Sequence, residues 1–155
     1  MNRRNFLKVA GLATSAVAVS PILLKGTATA EAKPQKKSYE EALKEITGGK
    51  PVKDSDKVKL IAPAIAENGA VVPVKVTVNH PMEEGNYVKA IHILAKKNFD
   101  PRSISAHLTP ANGRAFISTR IRLAKTMDVV AIAELSDGTF LKAEKPVKVT
   151  IGGCG

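Results

Sequence analysis

VPVKVTV, residues 72–78, places valine at every second position and sets proline, lysine or threonine between them. An alternation with period two puts all four valines on one side of an extended chain and the polar residues on the other, as in a half-buried β-strand. Pro73 has no N–H to give a neighbouring strand, so the start of this strand belongs at or near a sheet edge.

The same pattern extends in both directions. Upstream, residues 57–61 form a strand, and Glu67-Asn68-Gly69-Ala70 reads as the turn that leads into residues 72–78. Downstream, strands are expected at 87–95, 104–108, 114–123, 127–135, 139–142 and 147–151, separated by segments that include Pro110-Ala111-Asn112-Gly113 and Ser136-Asp137-Gly138. Residues 127–135 are apolar almost throughout, the mark of a central strand covered on both faces. Seven or eight short strands at this spacing predict a mainly β fold: an immunoglobulin-like antiparallel β-sandwich. A single helix precedes the strands. Ser38 and Glu41 form a capping-box pattern, Tyr39, Ala42, Leu43 and Ile46 share one face, and Gly48-Gly49 ends the helix. It is expected to cover one end or edge of the sandwich.

The composition suits this architecture. The chain has 155 residues, 44% hydrophobic and 25% charged, with only 4% aromatic and no tryptophan, so the core falls to Val, Ile, Leu and Ala. Net charge is +10, but the first thirty residues hold Arg3, Arg4, Lys8 and Lys25 and no acid, which leaves +6 for the remainder. The lysines are dispersed and the few aromatics are not interleaved with them, which argues against a nucleic-acid platform. Arg120, Arg122 and Lys125 form a candidate positive strip on one sheet face, although exposed charge is the ordinary state of such residues.

Residues 1–30 read as a twin-arginine-type signal peptide. Arg3-Arg4-Asn5-Phe6-Leu7-Lys8 is followed by a sixteen-residue apolar run, 9–24, and by the small-residue site Ala28-Thr29-Ala30. The run is shorter than the roughly 20 residues that span a bilayer. The mature chain is then expected to begin at Glu31, with a linker at 31–37, the helix and sandwich at 38–151, and a flexible arm at 152–155. The expected location is the periplasm.

Chemistry-bearing residues are few. His80, His92 and His107 have no metal-ligand spacing, so no metal or other cofactor is expected, and His92, between Ile91 and Ile93, reads as a surface strand residue. No catalytic triad, phosphate loop or paired-carboxylate motif is present, so no catalytic residue is assigned. Cys154 is the only cysteine, flanked by Gly152, Gly153 and Gly155. Counting Ile151 as the last fixed residue, three extended residues reach about 10 Å, and the glycines present little bulk. The nearest certain charge, the carboxylate of Gly155, is expected to raise the thiol's pKa. The tail therefore supplies access without activation, which suits a covalent carrier. Two other readings stay open at this point: an exported structural sandwich that forms an intermolecular disulfide, and an independent thiol enzyme.

The chain resembles the SoxY family of sulfur carriers of bacterial thiosulfate oxidation. The resemblance rests on the leader, on Ile61-Ala62-Pro63 and Ala66-Glu67-Asn68-Gly69-Ala70-Val71-Val72-Pro73-Val74, and on Ser118-Thr119-Arg120-Ile121-Arg122-Leu123-Ala124. Ala133-Glu134 with Asp137-Gly138 adds to it, and Val147-Lys148-Val149-Thr150-Ile151-Gly152-Gly153-Cys154-Gly155 carries most of it. It implies a carrier, not an enzyme, that pairs with a SoxZ-like subunit as a heterodimer and holds intermediates on Cys154. It further implies that the cytochrome SoxAX loads the thiol, the hydrolase SoxB releases sulfate, and the sulfane dehydrogenase SoxCD, where present, oxidises what remains. A disulfide-linked homodimer is a further form open to such a thiol. The family tail ends Gly-Gly-Cys-Gly-Gly, one glycine more than here.

Overall fold

The computed structural model describes residues 36–153. The expected leader, most of the linker, and Cys154 and Gly155 lie outside these described residues. Helix α1 (Tyr39–Thr47) is followed by β1 (Val52–Asp54), β2 (Val58–Ile61), β3 (Ile65–Asn68), β4 (Val72–Val78), β5 (Val88–Ala95), β6 (Arg102–His107), β7 (Ala115–Ile121), β8 (Met127–Leu135) and β9 (Phe140–Ile151). One sheet runs β1-β9-β8-β5-β6, with β3 also paired to β9; the other runs β2-β4-β7. The two sheets enclose the main core, in which Val72, Val74, Val76 and Val78 of β4 face Ile91, Ile93, Val129 and Ala131. The alternation in residues 72–78 is thus the inner face of the smaller sheet. β2 pairs only with Lys75–Val78, so Pro73 has a strand on one side alone.

The nearly continuous apolar runs of β5 and β8 have a second use. Leu94, Val130, Ile132 and Phe140 point away from the first core and pack with Ala42, Tyr39, Leu43 and Ile46. The helix therefore covers the outer face of the larger sheet rather than an end or edge. Its start has the expected capping box, with Glu41 N–H donating to Ser38 Oγ at 3.1 Å and Ser38 N–H to the Glu41 carboxylate at 2.8 Å. Ser38→Ala leaves both the box and one donor unmet, and is expected to lower stability by about 1 kcal/mol, readable as a shift in the urea midpoint at unchanged slope.

The strands differ from the sequence expectation in two respects. The short strands β1 and β3 were not foreseen; both run parallel to β9. The expected strands 139–142 and 147–151 form one strand, although Pro146 lies between them. Ser55 N–H donates to Lys142 O and Lys148 N–H to Ala64 O, so even-numbered residues of β9 turn their polar groups away from β8. Pro146 is in this set and sits between the β1 and β3 pairings, where no strand needs its N–H.

Candidate functional site

The last strand runs out at a junction of three segments that are far apart in sequence. On one side β3 holds it: Lys148 N–H donates to Ala64 O at 2.9 Å and Gly69 N–H to Ile151 O at 2.7 Å. On the other side β8 begins only opposite Val147, and Thr126 takes over, its hydroxyl accepting from Val149 N–H at 3.0 Å. Beyond Ile151 the backbone stays bonded. Gly153 N–H donates to Leu123 O at 3.0 Å, and Leu123 N–H donates to Gly69 O at 2.7 Å. Leu123 is wholly buried in the core, so this hydrogen-bond partner of Gly153 is itself fixed.

The junction has no room for side chains at three glycines. A Cβ at Gly69 would lie 2.2 Å from Leu123 O and 2.8 Å from both Gly153 N and Val149 Cγ1. One at Gly152 would lie 2.3 Å from Ala124 O, and one at Gly153 2.6 Å from Ala70 N. None of the three has a left-handed backbone, so their requirement is close backbone approach rather than a special φ. Sequence reading makes Gly152 and Gly153 a source of reach; their surroundings add a steric reason for glycine. Among the described residues, backbone hydrogen bonding thus continues past Ile151 as far as Gly153. Cys154 is the next residue in the chain.

Asn98, in the loop between β5 and β6, braces the junction from behind. It is 6% exposed; its Nδ2 donates to Arg122 O at 2.8 Å, and its Oδ1 accepts from Ala124 N–H at 3.0 Å. These bonds bracket Leu123. Sequence reading missed Asn98, Thr126 and the steric role of Gly69; the only signal was the Asn68-Gly69 pair, which reads equally well as a turn. Asn98→Ala leaves two polar backbone groups without partners and is expected to cost about 2 kcal/mol, measured by chemical denaturation.

The histidines do not converge on this junction in any hydrogen bond. His80 Nε2 lies 2.9 Å from Asn86 Oδ1. His92 is 6% exposed, which corrects its reading as a surface residue. The face of β5 opposite Ile91 and Ile93 is covered too, since Ala90, Leu94 and the β8 residue Ile132 are buried there. His92 Nδ1 lies 2.7 Å from Ser105 Oγ, its ring meets His107 edge-on at 6.3 Å, and its Nε2 is buried without a partner. Burial lowers its pKa from the ordinary 6.5, against an opposing pull from Glu134, and His107 adds to the lowering. A base whose folded pKa is depressed binds more protons unfolded, so its contribution is whole above about pH 6.5 and is lost as pH falls through the folded value. His92→Gln is expected to lose less stability between pH 7 and pH 5 than the wild type, as read by urea midpoints across that range.

No group of three or more His, Cys, Asp or Glu side chains is placed to hold a metal ion among the described residues. An open cleft of about 420 Å³ between β2 and β9, lined by Asp54, Asp56, Lys59 and Lys142 among others, includes none of the candidate site residues.

Fold and site together define a small β-sandwich whose last strand ends at Ile151, with the backbone bonded on as far as Gly153, one residue short of the chain's single cysteine. The chain belongs to the SoxY family: the profile described as sulfur oxidation protein SoxY matches residues 43–154. The solved structure of the sulfur carrier protein SoxY from Chlorobium limicola f thiosulfatophilum is 34% identical, with a TM-score of 0.62 over 72% of this chain and 96% of that one. Family and fold thus support a carrier role in sulfur oxidation. A superoxide reductase (neelaredoxin) from Ignicoccus hospitalis shares the fold, with a TM-score of 0.57 at 19% identity over 73% of this chain and 99% of that one. A putative superoxide reductase from Thermotoga maritima has a TM-score of 0.52 at 17% identity, over 63% of this chain and 93% of that one. These last two show a shared fold alone. No curated protein matches the sequence.

Proposed function

We propose that this protein is a periplasmic carrier that holds thiosulfate-derived intermediates covalently on Cys154 and presents them to the enzymes of the Sox system. The observation that carries the reading is the pinned end of β9: a strand hydrogen-bonded on both sides and a glycine pair without side chains lead directly to the only thiol of the chain. The family match, which runs through residue 154, supports it. In the loading step the thiol loses its proton and forms an S–S bond to the sulfane sulfur of thiosulfate. Two electrons leave with that bond's formation and pass to a c-type cytochrome of the SoxAX kind. Water then cleaves the bond between the sulfane and sulfonate sulfurs in a SoxB-type hydrolysis, releasing sulfate and leaving a persulfide on Cys154. A SoxCD-type dehydrogenase acts on that persulfide where it is present, and a SoxZ-like subunit completes the carrier as a heterodimer.

Activation belongs to the partners, because the tail has no base or cation of its own and an ordinary thiol is only a few per cent thiolate near neutral pH. Gly153 is one peptide unit from Cys154. Breaking its bond to Leu123 and lifting Gly152 from Ala124 restores the three-residue reach of about 10 Å into an enzyme cleft. The test is intact-mass measurement of the mature protein after incubation with thiosulfate and purified SoxAX. One thiosulfate adduct per chain, removed by a thiol reductant, is the expected result. A chain that stays unmodified, and is found in cells only as a disulfide-linked dimer, would overturn the reading in favour of a structural role.

A further inference from the structure

The outer face of the three-stranded sheet carries no acid of its own; only at its Lys59 corner, across the cleft between β2 and β9, do Asp54 and Asp56 come near. Its outward residues stand in cross-strand rows: Lys59, Thr77 and Phe116; then Ile61, Lys75 and Ser118; then Pro73 and Arg120. No aspartate or glutamate occurs in β2, β4 or β7. Among the described residues, none of the ion pairs involves Lys59, Lys75 or Arg120, all of which are exposed. Cations elsewhere, such as Lys37, Lys89, Lys96 and Lys142, have acidic partners. Large apolar groups lie among the cations: Ile61 is 59% exposed, and Phe116 carries the Arg114 guanidinium over its ring. The Pro73–Arg120 row is the end nearest the junction, since β4 is entered from Gly69-Ala70 and β7 continues to Leu123, both of which meet Gly153.

We propose that this face is the transient docking surface for an acidic patch on the enzyme that loads Cys154. The proposal rests on the carrier reading. Two strands of seven residues and one of four, about 4.8 Å apart, cover about 300 Å², well under the roughly 800 Å² per partner of a stable complex. A permanent subunit needs more than this face offers, whereas an enzyme that must engage and leave does not. Unpaired like charge on such a face raises the encounter rate and makes it fall with salt. A nucleic acid is a poorer fit, because the face has a single ring and no groove that tracks a backbone.

The test uses purified SoxAX as the probe and two readouts. Binding is measured with Cys154→Ser protein, so that docking is read without chemistry, and loading is measured by mass on the protein with its thiol. At about 20 mM salt, Lys75→Glu with Arg120→Glu is expected to lower the association rate about tenfold and to flatten its salt dependence. Lys53→Glu, an equal change per site on β1, is expected to alter it less than about twofold. Unchanged far-ultraviolet circular dichroism and thermal midpoint show that the variants are folded. Binding that is indifferent to both reversals overturns the surface while normal loading leaves the carrier reading intact. Charge-dependent binding with no adduct keeps the surface and overturns the carrier reading. Tighter binding of a DNA duplex than of SoxAX at the same salt, or loss of a stable SoxZ complex in the double variant, reassigns the face and overturns the proposal.

Discussion

Cys154→Ser is expected to carry no adduct after incubation with thiosulfate and SoxAX, under conditions in which the wild type is loaded on every chain. The chain has no second cysteine to substitute for it. A serine hydroxyl keeps the shape of the side chain but cannot form the sulfur–sulfur bond that stores the intermediate. It is also far less acidic than a thiol, so a partner that removes the thiol proton finds no comparable anion. Intact mass on the two proteins in parallel decides the matter: a reductant-labile adduct on the serine variant would place the cargo elsewhere.

Gly69→Ala is the second large effect, and it works through the fold. One methyl at this position would stand 2.2 Å from Leu123 O, a backbone atom, and 2.8 Å from Gly153 N. Backbone cannot yield as the far end of a lysine can. Leu123 must recede by about an ångström, and the bonds of Leu123 N–H to Gly69 O and of Gly153 N–H to Leu123 O are then lost together. Overpacking of a tight site with loss of two hydrogen bonds corresponds to about 3 kcal/mol. Gly69 has no left-handed φ, so alanine's backbone preference adds nothing to this cost. Denaturant unfolding is expected to show the loss, and the loading rate of Cys154 to change with it. Gly113→Ala is the contrast. Its φ of 66° disfavours alanine, but nothing lies within 4 Å of the added carbon, so a moderate loss of stability is expected there with loading unaltered.

The two glycines illustrate what can be read in a one-dimensional pattern. Gly113 declares itself locally, because a turn after Pro110-Ala111-Asn112 needs a residue that tolerates positive φ. Gly69 looks the same in the sequence, and its reason lies 54 and 84 positions further along, at Leu123 and Gly153. Asn98 is similar: a polar residue in a loop is unremarkable until its two bonds to Arg122 and Ala124 are known. His92 was misread because alternation tells which residues share a face and not what covers that face.

The sequence by itself determined the β-sandwich, through period-two alternation in residues 72–78 and its repeats, and the capped helix, through Ser38 and Glu41. It also singled out Cys154, because a lone thiol among glycines is visible without any coordinates. These are local signals, set by side-chain periodicity and by neighbours within four residues. Only the tertiary structure decided that α1 lies on the outer face of the larger sheet, that β9 passes through Pro146 unbroken, and that Gly69, Leu123 and Gly153 meet. Those outcomes depend on which backbone groups remain to be paired once the strands have assembled, and that is a property of the whole sheet rather than of any one segment.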